Sequence, residues 1–303
     1  MLEKKPKSKF TPPVKKMSEK TISSLESALE YQKIGDYDSA STIFKKILNA
    51  DPNNSFANHF LGLILFNKGD SNKAIDLMKT AAHFDPFNAR IFNDLGIALD
   101  DLRRYKEAIL HYRKALKLKP KFPEAFNNLG CALAKIGEEK EPETCFQKAL
   151  QIDPNNLDAL NNIGNLLMIN ERYNEAEESF RKVLRQAPKN PDFLINLGSA
   201  LQFLERIEEA KNYFKRALEI KPNHVEALCK LANALKCGGF AEQAIQYYDQ
   251  ATKIEPENIG IKISSATVLP IIPASANEID FYRARMQKNL IELKNCTSKL
   301  IDP

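Results

Sequence analysis

Residues 123–156 read PEAFNNLGCALAKIGEEKEPETCFQKALQIDPNN, and residues 157–190 read LDALNNIGNLLMINERYNEAEESFRKVLRQAPKN. Laid over one another, these blocks place Leu129-Gly130 on Ile163-Gly164, Phe146 on Phe180 and Pro154 on Pro188. The closing proline is a ruler for most of the chain: Pro52, Pro86, Pro120, Pro154, Pro188, Pro222 and Pro256 each follow the last by thirty-four residues. A fixed period of that length marks a repeat architecture. Counting back from each proline gives seven contiguous units, 21–54, 55–88, 89–122, 123–156, 157–190, 191–224 and 225–258.

Two positions of the unit are small. The eighth is Gly or Ala from Ala28 to Ala232, and the twentieth is Ala in every unit but the fourth, where it is Pro142. Large apolar residues recur at the seventh (Leu61, Leu95, Leu129, Ile163) and twenty-fourth (Phe44, Met78, Tyr112, Phe180), where they fill the space beside the small ones. At 100° per residue, positions 4, 7, 8 and 11 form one apolar stripe and positions 2, 6, 9 and 13 lie opposite it. The first set is expected to be core and the second open to a ligand. Turns such as Lys68-Gly69-Asp70 end one helix on glycine and offer an Asp cap to the next. Pro142 is expected to shorten or shift its helix, because proline is tolerated only in a first turn. The first unit, with Ser24 and Ser27 at core positions, reads as an end repeat facing water.

The order Phe126, Leu129, Gly130, Leu133, Phe146, Pro154 resembles the tetratricopeptide repeat (TPR), although the chain has no Trp. The resemblance implies an all-α fold: a TPR superhelix, or α-solenoid, of seven thirty-four-residue helix-turn-helix repeats.

The chain of 303 residues is 43% hydrophobic and 27% charged, the profile of a chain that folds around a core. No apolar stretch has membrane-span length and the start has no signal-peptide core, so a cytoplasmic location is expected. The net charge of +5 is matched by residues 1–20 alone, where seven lysines face Glu3 and Glu19. These twenty residues read as a basic disordered leader. The neutral remainder argues against a body-wide nucleic-acid surface, which leaves the leader as the one candidate tether for nucleic acid or anionic membrane. Five cysteines without a C-x-x-C pair and four scattered histidines lack metal-ligand spacing and read as free thiols and isolated rings. No metal or cofactor is expected.

From Ile259 the period is lost, and Ile279, Tyr282, Met286 and Leu290 return to helical spacing. Residues 259–303 are therefore expected to be a linker and a C-terminal capping helix over the seventh repeat. Leu269-Pro270-Ile271-Ile272-Pro273 and Glu278 to Arg285 also resemble the segment that joins TPR arrays to the catalytic domain in SPINDLY-type, O-GlcNAc-transferase-like glycosyltransferases. That resemblance implies the substrate-recognition arm of such an enzyme, here without its catalytic domain. N-acetylglucosaminyltransferase activity would require such a domain to follow in a longer protein.

No P-loop, G-x-S-x-G or H-E-x-x-H motif occurs, so function is assigned to a binding surface, not to catalysis. The family implies that the first helix of each unit lines a concave groove. Position 6 there reads Asp94, Asn128, Asn162, Asn196 and Lys230 in successive units, with Asn127, Asn161, Asn165 and Asn233 nearby. The consecutive asparagines resemble the ladder by which the O-GlcNAc-transferase superhelix holds an extended peptide backbone. The alternative is that these amides bond only to adjacent repeats or water. A carboxylate clamp for chaperone tails is disfavoured, because Asn161 stands where the clamp needs Lys and Glu226 would repel a carboxylate. The expected partner is a protein or peptide in extended conformation, with a stand-alone TPR adaptor as the alternative to the transferase arm. The oligomeric state stays open.

Overall fold

The computed structural model describes residues 18–269 and 275–301, and the regular structure among them is entirely helical. Residues 1–17 of the expected leader and 270–274 of the proline-rich motif lie outside the described residues, as do the side chains of Leu293 and Cys296. The helices fall into two compact units, Met1–Glu139 and Lys140–Pro303.

The first unit holds α1 (Glu19–Lys33), α2 (Tyr37–Ala50), α3 (Ser55–Asn67), α4 (Ser71–Phe84), α5 (Ala89–Asp101), α6 (Tyr105–Leu118) and α7 (Pro123–Lys135). The second holds α8 (Glu141–Ile152), α9 (Leu157–Ile169), α10 (Tyr173–Gln186), α11 (Pro191–Phe203), α12 (Ile207–Ile220), α13 (Val225–Cys237), α14 (Ala241–Ile254), α15 (Ile259–Ala266) and α16 (Ala276–Ile301). Within each unit consecutive helices pack as antiparallel hairpins, and each hairpin stacks on the next.

Local chemistry sets the helix ends. Two residues after each ruler proline stands an N-cap: Asn54 accepts from the Ala57 N–H at 2.9 Å, and Asn156 does the same for Ala159 at 2.9 Å. His224 takes this role for α13 through Nδ1. Phe122 cannot, and there Pro123 opens α7, with its fixed φ and no N–H to satisfy. Between the helices of a hairpin, position 15 adopts a left-handed backbone throughout: Gly35, Gly69, Gly137 and Gly239 have φ of 81–85°, and Arg103, Glu171 and Glu205 have φ of 58–61°. Asp36 and Asp70 then cap α2 and α4. Arginine replaces aspartate later. Arg172 grips Glu175 of its own first turn and Glu143 of the preceding repeat, and Arg206 repeats the pattern with Glu209 and Glu177. As expected, Pro142 shortens its helix: α8 has 12 residues where its counterparts have 14, and the proline lies in its first turn.

The core rests on close approach at position 8. A Cβ on Gly96, Gly164 or Gly198 would come within 2.5 Å of the ring of Tyr112, Phe180 or Phe214. After the first repeat, the first helix of a repeat is buried more widely than the single stripe expected: positions 3 and 10 are also inside, as at Ala57 and Ile64, Ile91 and Ala98, Ala159 and Leu166. Within a unit, a first helix that follows another hairpin packs against both its own partner and the preceding repeat, as α3 does against α4 and α2 and α11 does against α12 and α10. The buried arc therefore reaches about 280°, next to position 6 at about 240°. From the second repeat on, position 6 is half-buried or buried, where the sequence pattern placed it on the open side, and Glu26 of the first repeat alone is exposed.

The end of the chain departs from the expected linker. Asn258 caps α15, which starts thirty-four residues after α13, takes the place of a further first helix and covers α14. Helix α16 packs on α15, so the capping layer is double. Arg285 donates to the Ser265 carbonyl at 2.7 Å and to its Oγ at 2.8 Å, closing the end of α15. Of the four expected capping side chains, Tyr282 is buried and Met286 half-buried, while Ile279 and Leu290 are exposed. The short α15 already covers the last repeat, which leaves fewer α16 positions to do so.

Candidate functional site

In the first unit, positions 5 and 6 of successive repeats form a closed polar network. His59 Nε2–H donates to Asp94 Oδ2 at 2.9 Å, Asn93 Nδ2 donates to Asp94 Oδ1 at 3.1 Å, and Asn128 Nδ2 donates to Asn93 Oδ1 at 3.1 Å. His59, Asn93 and Asp94 are buried and Asn128 is half-buried. Both Asp94 oxygens are engaged, as a buried carboxylate requires. Asn127 is buried beside Asn128 on α7.

In the second unit the same relation recurs between α11 and α9, where Asn196 Nδ2 donates to Asn161 Oδ1 at 2.8 Å. Asn161, Asn162 and Asn196 are half-buried and Asn165 is exposed. Asn233 Oδ1 accepts from the Tyr248 hydroxyl at 2.6 Å, and burial pushes that phenol up to about 12. An asparagine amide has two N–H donors and a carbonyl with two lone pairs. The bond from Asn196 to Asn161 uses one N–H, and the remaining N–H and carbonyl of Asn196 stay available on a half-exposed side chain.

Sequence reasoning pointed to position 13 as open but named nothing there. In the second unit it is apolar and exposed: Ile169 is 77% and Phe203 57% accessible, followed by exposed Cys237. Phe203 stacks on Tyr173 with ring centroids 4.9 Å apart and planes 9° from parallel. Beside it, Ser199, Gln202, Phe203, Lys230, Asn233 and Cys237 line a depression of about 270 Å³ between α11 and α13. The signal was in the sequence, since an apolar residue opposite the core stripe has no packing reason to recur. Among the described residues, no three His, Cys, Asp or Glu side chains converge to hold a metal, and no helix is long and apolar enough to cross a membrane.

These hairpins define an all-α helical-repeat protein, whose exposed first-helix positions present amides and apolar side chains. Family models for the tetratricopeptide repeat match residues 101–137, 123–156, 156–223 and 195–259, and one for anaphase-promoting complex, cyclosome, subunit 3 matches residues 33–115. The chain is a tetratricopeptide repeat protein. No curated protein matches it in sequence. Among solved structures it is similar to PilF of Pseudomonas aeruginosa, with 22% identity, a TM-score of 0.61, and coverage of 68% of this chain and 94% of that one. It is also similar to a tetratricopeptide repeat protein of Parabacteroides merdae, with 16% identity, a TM-score of 0.64 and coverage of 82% and 98%. The Cut9–Hcn1 hetero-tetramer of the APC/C gives 15% identity, a TM-score of 0.69 and coverage of 80% and 48%. These likenesses are of fold. Proteins of this repeat class generally act by binding other proteins, and the described residues form no catalytic domain.

Proposed function

We propose that the chain is a binding module that holds a partner polypeptide in extended conformation along its first-helix faces, with asparagine amides bonding to the partner's backbone. The observation that supports this is the bond from Asn196 to Asn161. That bond fixes the plane of the Asn196 amide, and its unused N–H and carbonyl can then donate to a backbone carbonyl and accept from a backbone amide. Asn128 is held in the same way by Asn93 in the first unit. Each bond contributes about 0.5–1.5 kcal/mol, so a few amides give micromolar affinity at best once association entropy is subtracted. Recognition through backbone groups would depend little on the partner's sequence.

The resemblance of Glu278 to Arg285 to a glycosyltransferase junction falls on the first half of α16, and supports a recognition role beside such an enzyme as readily as a free-standing adaptor. Either way this chain binds and does not transfer sugar. Calorimetric titration of a reduced, carboxymethylated polypeptide into wild type and into a variant with Asn128, Asn162 and Asn196 all changed to Ala tests the reading. Loss of most of the binding with helicity retained is expected; unchanged affinity would contradict it.

A further inference from the structure

The second helices of neighbouring repeats leave a groove between them, and in the second unit two such grooves can be compared position by position. The groove between α10 and α12 holds about 260 Å³ and is lined by Arg181, Arg185, Tyr213 and Arg216 over a floor of Leu184, Pro188 and Leu197. One repeat later, the groove between α12 and α14 holds about 370 Å³ and has Lys215, Glu219 and Gln250 where the first has Arg181, Arg185 and Arg216. The rest of the frame is shared: Tyr247 matches Tyr213, Leu218 matches Leu184 and Pro222 matches Pro188. The repeat makes the groove, and of these two the sequence makes only the first strongly cationic.

No carboxylate lines the first groove. Elsewhere Arg104, Arg172, Arg206 and Arg283 each pair with a carboxylate three residues away. Arg185 and Arg216 are exposed and have no carboxylate partner among the described residues, although Glu219 stands three residues from Arg216. Arg181 donates to Glu177 Oε1 through Nε at 3.0 Å and Nη2 at 2.6 Å, but Arg206 Nη1 donates to the same oxygen at 2.7 Å. One negative charge is therefore shared between two guanidiniums. The apolar floor keeps water from one side of these charges, which strengthens their field in the groove. Tyr213 steadies Arg216, whose guanidinium lies 5.3 Å from the ring centroid.

Three guanidiniums without a matching set of carboxylates suit an oxyanion. Each guanidinium offers paired N–H groups to two oxygens, and a phosphate monoester presents three acceptor oxygens with a charge of about −1.5 to −2 at pH 7. We propose that the groove between α10 and α12 binds a phosphoserine or phosphothreonine of a partner protein. Arg185 and Arg216 take the phosphate from opposite walls, Arg181 adds charge from α10, and the apolar floor takes a residue beside the phosphorylated one. A nucleic-acid backbone would call for a cationic track from groove to groove, and the track ends at Glu219 and Gln250. The site lies on second helices and does not rest on the reading of the asparagines.

The test is fluorescence anisotropy of a short labelled peptide with one phosphoserine, titrated with the full-length protein. The phosphorylated peptide is expected to bind about tenfold or more tightly than the same peptide without phosphate, and added salt should narrow the difference. Arg185→Gln and Arg216→Gln alter exposed side chains without carboxylate partners, so the fold is retained, and each is expected to remove most of that difference. Arg185→Lys keeps the charge but loses the paired N–H groups, and should remove part of it. Lys215→Gln, in the neighbouring groove at the position that matches Arg181, should change nothing. A phosphorylated peptide that binds no better than the plain one, or a gain that survives both glutamine variants, overturns the proposal. An equal loss from Lys215→Gln, or displacement of the phosphopeptide by a single-stranded oligonucleotide at lower concentration than by unlabelled phosphopeptide, overturns it in favour of a nucleic-acid track.

Discussion

Asn196 on α11 donates its side-chain N–H to Asn161 on α9, thirty-five residues earlier, at 2.8 Å. Asn128 and Asn93 repeat the relation at 3.1 Å, and His59 with Asp94 occupies the same two positions one repeat before that. In these three pairs position 6 of one repeat is thus tied to position 5 of its predecessor. The asparagines hold neighbouring repeats in register, and in doing so fix the planes of the amides that the proposed partner would meet. The inter-repeat bonds account for the bracing reading of the recurring asparagines, and the peptide ladder is the proposal built on them.

Gly164 faces the ring of Phe180, and a Cβ there would stand 2.5 Å from Cε1. Gly164→Ala is expected to destabilise the second unit by about 1–3 kcal/mol, as overpacking does. Denaturant unfolding measures this. Combining it with Phe180→Leu should cost less than the sum of the two single changes, because the leucine vacates the contested space.

Glu171 and Glu205 sit at φ of 60° and 61° in turns where four other repeats have glycine. A left-handed backbone costs a non-glycine residue about 1–2 kcal/mol, partly offset by the entropy glycine loses on folding. Glu171→Gly and Glu205→Gly are each expected to raise stability by up to about 1 kcal/mol. Thermal melting of the double variant should show a higher midpoint.

Burial lifts the Tyr248 phenol from its ordinary 10.0 to about 12. Because the folded value lies above the unfolded one, the contribution is complete below pH 10 and disappears as pH rises through 12. Melting temperature is expected to fall across that window. Tyr248→Phe loses the bond to Asn233 at neutral pH but should flatten the alkaline decline.

Tyr282 is buried with its hydroxyl unpartnered, and burial raises that group too. Tyr282→Phe removes an unsatisfied polar atom, so the C-terminal cap is expected to gain about 1 kcal/mol. Hydrogen exchange in α15 and α16 should slow.

The repeat fold was legible because its period is written in proline, glycine and aromatic residues that each have one geometric task. Pro142 announced a shortened α8 for the same reason. Other features were present but harder to read. Asn54, Asn156 and Asn258 recur two residues after the ruler prolines as helix caps, and Asn258 marks α15 as a continuation of the period, although its eight residues are too few to complete the pattern. The burial of position 6 was not legible at all. It depends on the preceding repeat covering positions 3 and 10, a packing effect that a single-helix projection omits. Phe203 and Tyr173 lie thirty residues apart, and only folding shows that their rings stack.

The central claim is that Asn196 both braces the repeats and reads a bound backbone, and one comparison separates these roles. Asn161→Ala and Asn196→Ala break the same inter-repeat bond, so they should lose similar stability, about 0.5–1.5 kcal/mol. Only Asn196→Ala removes the amide assigned to the partner. Calorimetric titration of the carboxymethylated polypeptide into both variants, well below their melting temperatures, is predicted to show about tenfold weaker binding for Asn196→Ala, equivalent to 1.4 kcal/mol, and a smaller loss for Asn161→Ala, which unfixes the amide plane but keeps the amide. Equal affinities in the two variants would show that the asparagine only braces the repeats.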